Sequence, residues 1–158
     1  MTIKVLFQLE RDEDGFPPVA VEMLNASPCG VDLFQIQNAP FFVTNVSYND
    51  VVRAVPTEIV GQFQFESVVE RSEFTALSII IFDAEMDTFL MDLLRGLGCV
   101  IEYGEFGVYR VLAVAVPSTT DYRSLSEQLM GLEHQELISF AELAVSPSEQ
   151  VARYETNS

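Results

Sequence analysis

The spacing of apolar residues changes period part-way along this chain, and that change limits the folds available to it. Before Asp83, apolar and polar residues alternate in short runs. In the first run, the residues on one side of the predicted strand are Ile3, Val5, Phe7 and Leu9. Alternation with a period of two is typical of half-buried strands. Turn-forming residues separate the runs, including those at residues 27–30, and a short strand is predicted at residues 41–43. The N-terminal half is therefore expected to form a small all-β lobe, either a barrel or a sandwich.

After Asp83 the apolar residues follow a helical period instead. They fall three or four positions apart and form one stripe, made of Met86, Phe89, Leu90, Leu93, Leu94 and Leu97. This spacing predicts an amphipathic helix, which Gly98 is placed to end. Two further strands joined by a hairpin at residues 104–107, a second helix and a last strand are predicted to follow.

The order strand, helix, strand, strand, helix, strand over residues 73–145 is the pattern of a ferredoxin-like domain. The predicted fold class is therefore α+β, with a small all-β barrel or sandwich-like lobe followed by a ferredoxin-like βαββαβ lobe. The predicted domain limits are 1–72 for the β lobe, 73–145 for the ferredoxin-like lobe, and 146–158 for a polar C-terminal tail.

The chain is strongly acidic, with 24 acidic and 8 basic residues and a formal net charge of −16. A net charge with a magnitude of about 2–8 suffices to keep a small domain soluble. A negative surface repels nucleic acid and anionic membranes and attracts cationic partners. We therefore expect no direct binding to nucleic acid or membrane, and a basic protein as the partner.

Compartment and redox state are expected from the same sequence. The N-terminal apolar run is short and alternating, unlike a signal peptide, and no stretch has the roughly 20 apolar residues of a membrane span. The chain has two cysteines, Cys29 and Cys99. We expect a cytoplasmic protein in which both are free thiols.

Two motifs before residue 55 resemble a known family. Residues 12–18 read D-E-D-G-F-P-P and residues 38–42 read N-A-P-F-F, with Glu22 between them and D-V-V at residues 50–52. Together they resemble the uncharacterised bacterial family numbered 4265 among the domains of unknown function. The resemblance runs from residue 4 to residue 145 and implies a stand-alone cytosolic bacterial protein. It implies no activity and no catalytic residues.

No catalytic or metal-binding arrangement is evident in the sequence. His134 is the only histidine, and it is expected in a polar connector without the neighbours that a catalytic triad needs. Residues 12–15 are similar to the start of a calcium loop, but Val21 stands where the loop requires Glu. Glu66, Glu102 and Glu142 interrupt apolar strands and are the remaining candidates for acid–base chemistry, although alternation would turn them to solvent. We expect no cofactor, no metal and no enzymatic activity.

The charge favours a protein that acts through its surface. We expect it to neutralise a cationic protein by occlusion, most concretely as a bacterial immunity protein or antitoxin against a basic toxin such as a nuclease. The alternative is a regulatory module that senses a small ligand through the ferredoxin-like lobe. A carboxylate-based hydrolase or transferase is a third hypothesis. The oligomeric state is left open. The predicted partner-binding residues are Asp12, Glu13, Asp14, Glu85, Asp92, Glu102, Glu105, Phe106, Glu127, Glu133 and Glu136.

Overall fold

The N-terminal half of the chain folds into a closed barrel. The computed structural model describes residues 3–157, with side chains through residue 155. Five strands pair in chain order, and the first strand closes the barrel by pairing in parallel with the fifth. An odd number of strands running alternately up and down makes this closing pair parallel. The strands are β1 (Ile3–Gln8), β2 (Val21–Gly30), β3 (Leu33–Ile36), β4 (Val51–Pro56) and β5 (Gln62–Glu70).

Alternate residues of each barrel strand point inward and fill the barrel. Two aromatic pairs span the interior, with ring centroids 4.7 Å apart for Phe7 and Phe65 and 4.5 Å apart for Phe34 and Phe63. The other buried residues of this core are aliphatic: Val5, Leu24, Ala26, Ile36, Val43, Val46, Val52 and Ala54. The alternation seen in the sequence therefore identifies the barrel core.

Two local predictions in this half are wrong. Residues 27–30 were expected to form a turn, but β2 continues through Gly30 and the pairing with β3 shifts register between Pro28 and Gly30. A β-bulge tolerates a proline that a regular ladder would not. Residues 41–43 were expected to form a strand, but they are irregular, because a buried side chain takes up their backbone N–H groups, as shown below.

The second half contains a four-stranded antiparallel sheet and helices. The strand order is β7, β8, β6, β9. Among the described residues, no helix is long and apolar enough to span a membrane. The elements are β6 (Phe74–Ile81), α1 (Met86–Gly96), β7 (Val100–Phe106), β8 (Tyr109–Pro117), α2 (Tyr122–His134), β9 (Ile138–Ala144) and α3 (Pro147–Asn157).

The sheet is covered on both faces. On one face, large aliphatic residues of β6 and β8 pack against the apolar stripes of α1 and α2, which include Leu90, Leu94, Leu125 and Leu129. The predicted stripe of α1 is confirmed for Leu90 and Leu94, which are buried, and for Met86, Leu93 and Leu97, which are partly buried against the same core. It is wrong for Phe89, which is 51% exposed. The other face presents small residues of β8, and these pack with residues from the barrel half: Ala113 and Ala115 with Ala39, Phe41 and Tyr48. The barrel half can approach closely because these strand residues are small.

The predicted fold class is wrong. The sequence pattern predicted the α+β class with a ferredoxin-like second lobe. The described residues are instead mostly β, with a closed five-stranded barrel, a second antiparallel sheet of four strands and three short helices. The apolar pattern of one face predicted its helices correctly. It gave no sign that the opposite face would be covered by the barrel half, which makes the sheet an internal layer of a larger β structure.

The C-terminal segment predicted as a polar tail forms α3, which is held onto the sheet. The Arg153 guanidinium donates to both carboxylate oxygens of Glu142 on β9 and pairs with Glu149 within the helix at 3.3 Å. The Tyr122 hydroxyl donates to the same Glu142 carboxylate. Hydrogen bonds to Arg153 hold the pKa of Glu142 below its ordinary value. Glu142 is therefore part of a structural ion pair.

An aromatic cluster joins β7 to the barrel half at Gly104. Phe106 contacts Phe41 and Phe42, with ring centroids 5.0 and 4.9 Å apart. A Cβ added at Gly104 would lie 2.7 Å from Phe106 Cε2 and 3.0 Å from Phe41 Cζ. Only a residue without a side chain fits this approach of backbone and rings.

We predict that Gly104→Ala lowers the free energy of unfolding by about 1–3 kcal/mol, because the rings must move away from the new methyl group. Gly96→Ala is the matched control. Apart from its chain neighbours and the backbone of its own helix, its added Cβ would meet no described atom within 4 Å. Gly96 is the last residue of α1, so alanine there should leave stability unchanged or raise it by at most about 1 kcal/mol. Urea unfolding of both variants is the measurement. A Gly104→Ala variant as stable as wild type would contradict this packing.

Candidate functional site

A cleft of about 720 Å³ lies between the barrel and the second sheet. The barrel contributes residues of β1 and β5, the sheet contributes residues of β6 and β9, and two irregular segments form the remaining walls. The Phe16–Pro17 peptide bond in one of these segments is cis. The lining residues are mostly apolar: Phe7, Leu9, Phe16, Pro17, Phe41, Phe42, Val43, Phe65, Ile80, Phe140, Ala141 and Leu143, with Gln8, Glu10, Thr44, Ser78 and Ser139 as the polar members.

A buried carboxylate, that of Glu22, holds the segment that forms one wall of this cleft. Glu22 lies two residues before Leu24 on β2, so its side chain points to the same inward side of the strand. It is only 7% exposed. Its carboxylate accepts hydrogen bonds from the backbone N–H groups of three successive residues, Phe41 at 2.6 Å, Phe42 at 3.0 Å and Val43 at 2.9 Å. These bonds fix the segment whose side chains line the cleft.

Burial sets the ionisation of Glu22. Desolvation raises its pKa above the ordinary value, the three N–H donors act in the opposite direction, and the nearby charge of Glu102 adds to the increase. Burial penalises the charged form of any carboxyl group, whereas N–H donors favour that form. Glu22 therefore binds its proton more readily in the folded chain than in the unfolded chain.

Asn38 ties the same segment to both halves of the protein. Its side-chain oxygen accepts from the Asn25 backbone N–H at 2.7 Å, and its side-chain nitrogen donates to Glu102 at 2.7 Å. Asn25 lies on barrel strand β2, and Glu102 lies on β7 of the second sheet. The side chain of Asn38 thus bridges the barrel and the sheet, next to the residues that Glu22 holds.

A serine hydroxyl lies on the sheet side of the cleft. Ser78 sits between Leu77 and Ile79 on β6, and strand alternation turns it away from their helix-covered face. It lines the cleft and is 7% exposed. Across the ladder it pairs with Ala141, and Ser139 pairs with Ile80, so both serines face the cleft. Among the described residues, neither hydroxyl has a hydrogen-bonding partner.

The charged lining of the cleft is acidic. Of the residues that line it, Glu10 carries a charge, and lysine, arginine and histidine are absent from the set. The neighbouring Arg11 is not one of the lining residues. Its guanidinium donates to the carbonyl oxygens of Gly15 and of Pro17, a lining residue, each at 2.9 Å. A ligand in this cleft would meet aromatic rings, hydroxyl groups and one carboxylate.

The predicted partner-binding carboxylates are distributed over several surfaces. Glu102 is half-buried against Asn38, and the others are exposed. On the helix-covered side of the sheet, α1 carries Asp92, with Glu85 just before it, and α2 carries Glu127 and Glu133, with Glu136 following. Asp12, Glu13 and Asp14 lie apart from these, in the loop between β1 and β2, where Asp12 accepts from the backbone N–H groups of Asp14 and Phe16, both at 2.9 Å. Glu105 accepts from the Tyr103 hydroxyl at 2.8 Å.

The remaining candidates are placed as follows. Phe106, the predicted aromatic anchor, is half-buried and packs on Phe41 and Phe42. Glu66 is exposed on β5, and His134 is the exposed last residue of α2 rather than part of a connector. None of these candidates lines the cleft.

Sequence reasoning missed Glu22 and Ser78 as site residues. A signal existed for Glu22, because strand alternation places it on the same side of β2 as Leu24 and Ala26, which face inward. This placement predicts a buried side chain. Ser78 offered a weaker signal, as a single polar residue inside the apolar run Leu77–Ile81 of a strand. The cleft itself involves residues far apart in the chain, and no local pattern indicated it.

Comparison with known proteins agrees with the resemblance found in the sequence. Residues 22–140 match the family described as "Domain of unknown function (DUF4265)". The chain belongs to this family. The matched range contains Glu22 and residues 38–42 but begins after residues 12–18. The family description names no activity. No curated protein matched the chain.

A solved structure described as a hypothetical protein from Neisseria gonorrhoeae has a similar fold. It superposes with a TM-score of 0.74, shares 20% sequence identity, and the match covers 92% of this chain and 94% of that one. At this level of identity the similarity concerns the fold alone. The arrangement of barrel and sheet therefore occurs in a second protein.

We predict that Glu22 makes stability depend on pH. Because its pKa is raised on folding, its contribution is fully present below the ordinary value of 4.5 and is lost as pH rises through the folded value. Glu22→Gln cannot titrate and leaves one N–H donor poorly satisfied, so it should cost about 1–3 kcal/mol at pH 4.5.

The measurement is the difference in unfolding free energy between wild type and Glu22→Gln across pH 4.5 to 8. The wild-type advantage should shrink as pH rises. Glu66→Gln, which removes an exposed carboxylate from β5, is the control for loss of charge alone. An advantage that grows with pH would show that the ionised form is favoured and would contradict the account.

Proposed function

We propose that this chain is a small-molecule-binding protein whose site is the cleft between the barrel and the second sheet. The observation that carries the proposal is the combination of a cleft of about 720 Å³ with apolar walls and a few polar groups facing it. Sites for small ligands are typically clefts of about 300–1,000 Å³ with this composition. The volume and the lining both support a ligand with an apolar body.

The aromatic walls favour a flat or branched apolar ligand. Phe16 and Phe42 meet edge to face, with ring centroids 5.8 Å apart and an interplanar angle of 89°. Phe16 also packs edge to face on Tyr109, with centroids 5.5 Å apart. Rings held in place by other rings present fixed faces and edges, which recognise a second apolar body with little loss of conformational entropy.

The cleft supports binding better than covalent chemistry. Its serines, Ser78 and Ser139, make no hydrogen bond to Glu10, the carboxylate among the described lining residues. Activation of a serine nucleophile requires a base within hydrogen-bonding reach. Glu10 is the titratable member of the lining and is exposed. The protein is therefore a binding module in this proposal, and it would serve in ligand sensing or transport.

Titration with Nile red, an uncharged fluorescent dye with a flat apolar body, tests the proposal. Ala141 is exposed, lines the cleft and lies directly across the ladder from Ser78. Ala141→Phe should narrow the cleft beside Ser78 and weaken dye binding at least ten-fold, or about 1.4 kcal/mol. Ala20→Phe, at an exposed position that does not line the cleft, is the control and should bind as wild type does. Equal binding by wild type and Ala141→Phe, or none by folded wild type, would refute the proposal.

A second candidate is the neutralisation of a cationic protein, such as a basic toxin. The observation that favours it is the acidic layer on the helical side of the sheet, where exposed carboxylates outnumber the exposed Arg95 and Arg123. The carboxylates are Glu85, Asp92, Glu127, Glu133 and Glu136. With a net charge of −16, such a layer would speed encounter with a basic surface. This surface lies on the opposite side of the sheet from the cleft, so the two candidates can be tested separately.

The test is affinity capture from a lysate of the source organism at low salt, with wild type beside a variant carrying Glu85→Gln, Asp92→Asn, Glu127→Gln and Glu136→Gln. A partner recognised by this layer should be a basic protein that wild type retains, the variant loses and salt releases. Capture that is unaffected by the four substitutions would contradict the candidate.

A further inference from the structure

We propose that the cleft selects its ligand by charge, and that it accepts an apolar body bearing a neutral or cationic polar group while rejecting a carboxylate of the same shape. This inference rests on the proposed binding function and narrows it to a ligand class. It depends on the two serine hydroxyls, on Glu10, and on a lining that, for residues 3–155, includes no cationic side chain.

Ser78 supplies the polar contact within the cleft. Its side chain is 7% exposed and lines the cleft, and in the part of the chain that the structure describes its hydroxyl has no hydrogen-bonding partner. Among the described residues, the buried side-chain atoms without a partner are Asn25 Oδ1 and Asp87 Oδ1, so the Ser78 hydroxyl is accessible from the cleft. A hydroxyl can both donate and accept, so it can pair with a ligand alcohol, amine or amide.

Ser139 places a second hydroxyl on the same face. It pairs with Ile80 while Ser78 pairs with Ala141, so the two serines lie diagonally across the β6–β9 ladder. Diagonal neighbours on one face of an antiparallel pair are about 7–8 Å apart at their Cα atoms. Two hydroxyls at this separation can hold one polar group between them or two polar groups of a single ligand.

The charges around the cleft determine which sign of charge a ligand can carry. Glu10 lines it, and the described residues that line it include no lysine, arginine or histidine. Arg11, the next residue, donates its N–H groups to the carbonyl oxygens of Gly15 and Pro17. A bound carboxylate would therefore be desolvated without a counter-ion among the lining residues, in a chain of net charge −16. A cation would be attracted by Glu10 and by the faces of the aromatic rings.

Three ligands with one ring system test the inference: 2-naphthylmethylamine, 2-naphthalenemethanol and 2-naphthoate. Affinities for the wild-type protein are measured at pH 7 and low ionic strength by naphthalene fluorescence and by displacement of Nile red. The alcohol and the amine should bind, and the naphthoate should bind at least ten-fold more weakly than the alcohol. Naphthoate binding as tight as the alcohol would overturn the inference while leaving the proposed function intact.

Variants assign the roles of the residues. Ser78→Ala should weaken binding of 2-naphthalenemethanol several-fold. Ser118→Ala, which removes an exposed hydroxyl outside the cleft, should leave that binding unchanged. Glu10→Gln should reduce the preference for the amine over the alcohol, and added salt should have the same effect on wild type. If Nile red binds but none of the three naphthalenes does, the inference is overturned. If neither Nile red nor any naphthalene binds, the proposed function fails as well.

Discussion

The three hydrogen bonds that the Glu22 carboxylate accepts from Phe41, Phe42 and Val43 are the interaction on which the rest of the architecture depends. An irregular segment cannot be buried unless its N–H groups find acceptors. A carboxylate supplies several acceptor sites from one side chain, at the cost of burying a group that prefers water. With those donors satisfied, Phe41 and Phe42 can pack on Phe106 and line one side of the cleft.

The sheet side of the cleft depends on side-chain size. Large residues on one face of β6 and β8 pack against the helices. On the other face, Ala113 and Ala115 are small enough for the barrel half to approach. Asp50 stabilises the same junction, since its buried carboxylate accepts from the backbone N–H groups of Ser47 at 2.9 Å and Ser72 at 2.7 Å. Where the barrel and the sheet diverge, the cleft opens, with Ser78 and Ser139 facing it.

Periodicity in the sequence predicted individual elements well, because it reports which side of an element is buried. Strand β1 and most of the stripe of α1 follow from it directly. The family was identified from the motifs at residues 12–18 and 38–42 taken together. The fold class was wrong because alternation cannot say what covers the second face of a sheet. The cleft was missed because its walls come from residues as distant as Phe7 and Leu143. The predicted acidic surface was read from charge alone, which cannot separate Glu22, buried and bonded, from the exposed carboxylates on the helices.

Amide hydrogen exchange at Phe41, Phe42 and Val43, followed by NMR, tests the central claim most directly. If the Glu22 carboxylate holds these three N–H groups in the core, their exchange should be as slow as that of the buried ladder amides of β6, although the segment is irregular. Exchange as fast as in the exposed loop at residues 57–61 would contradict the account, because the wall of the cleft would then not be anchored by Glu22.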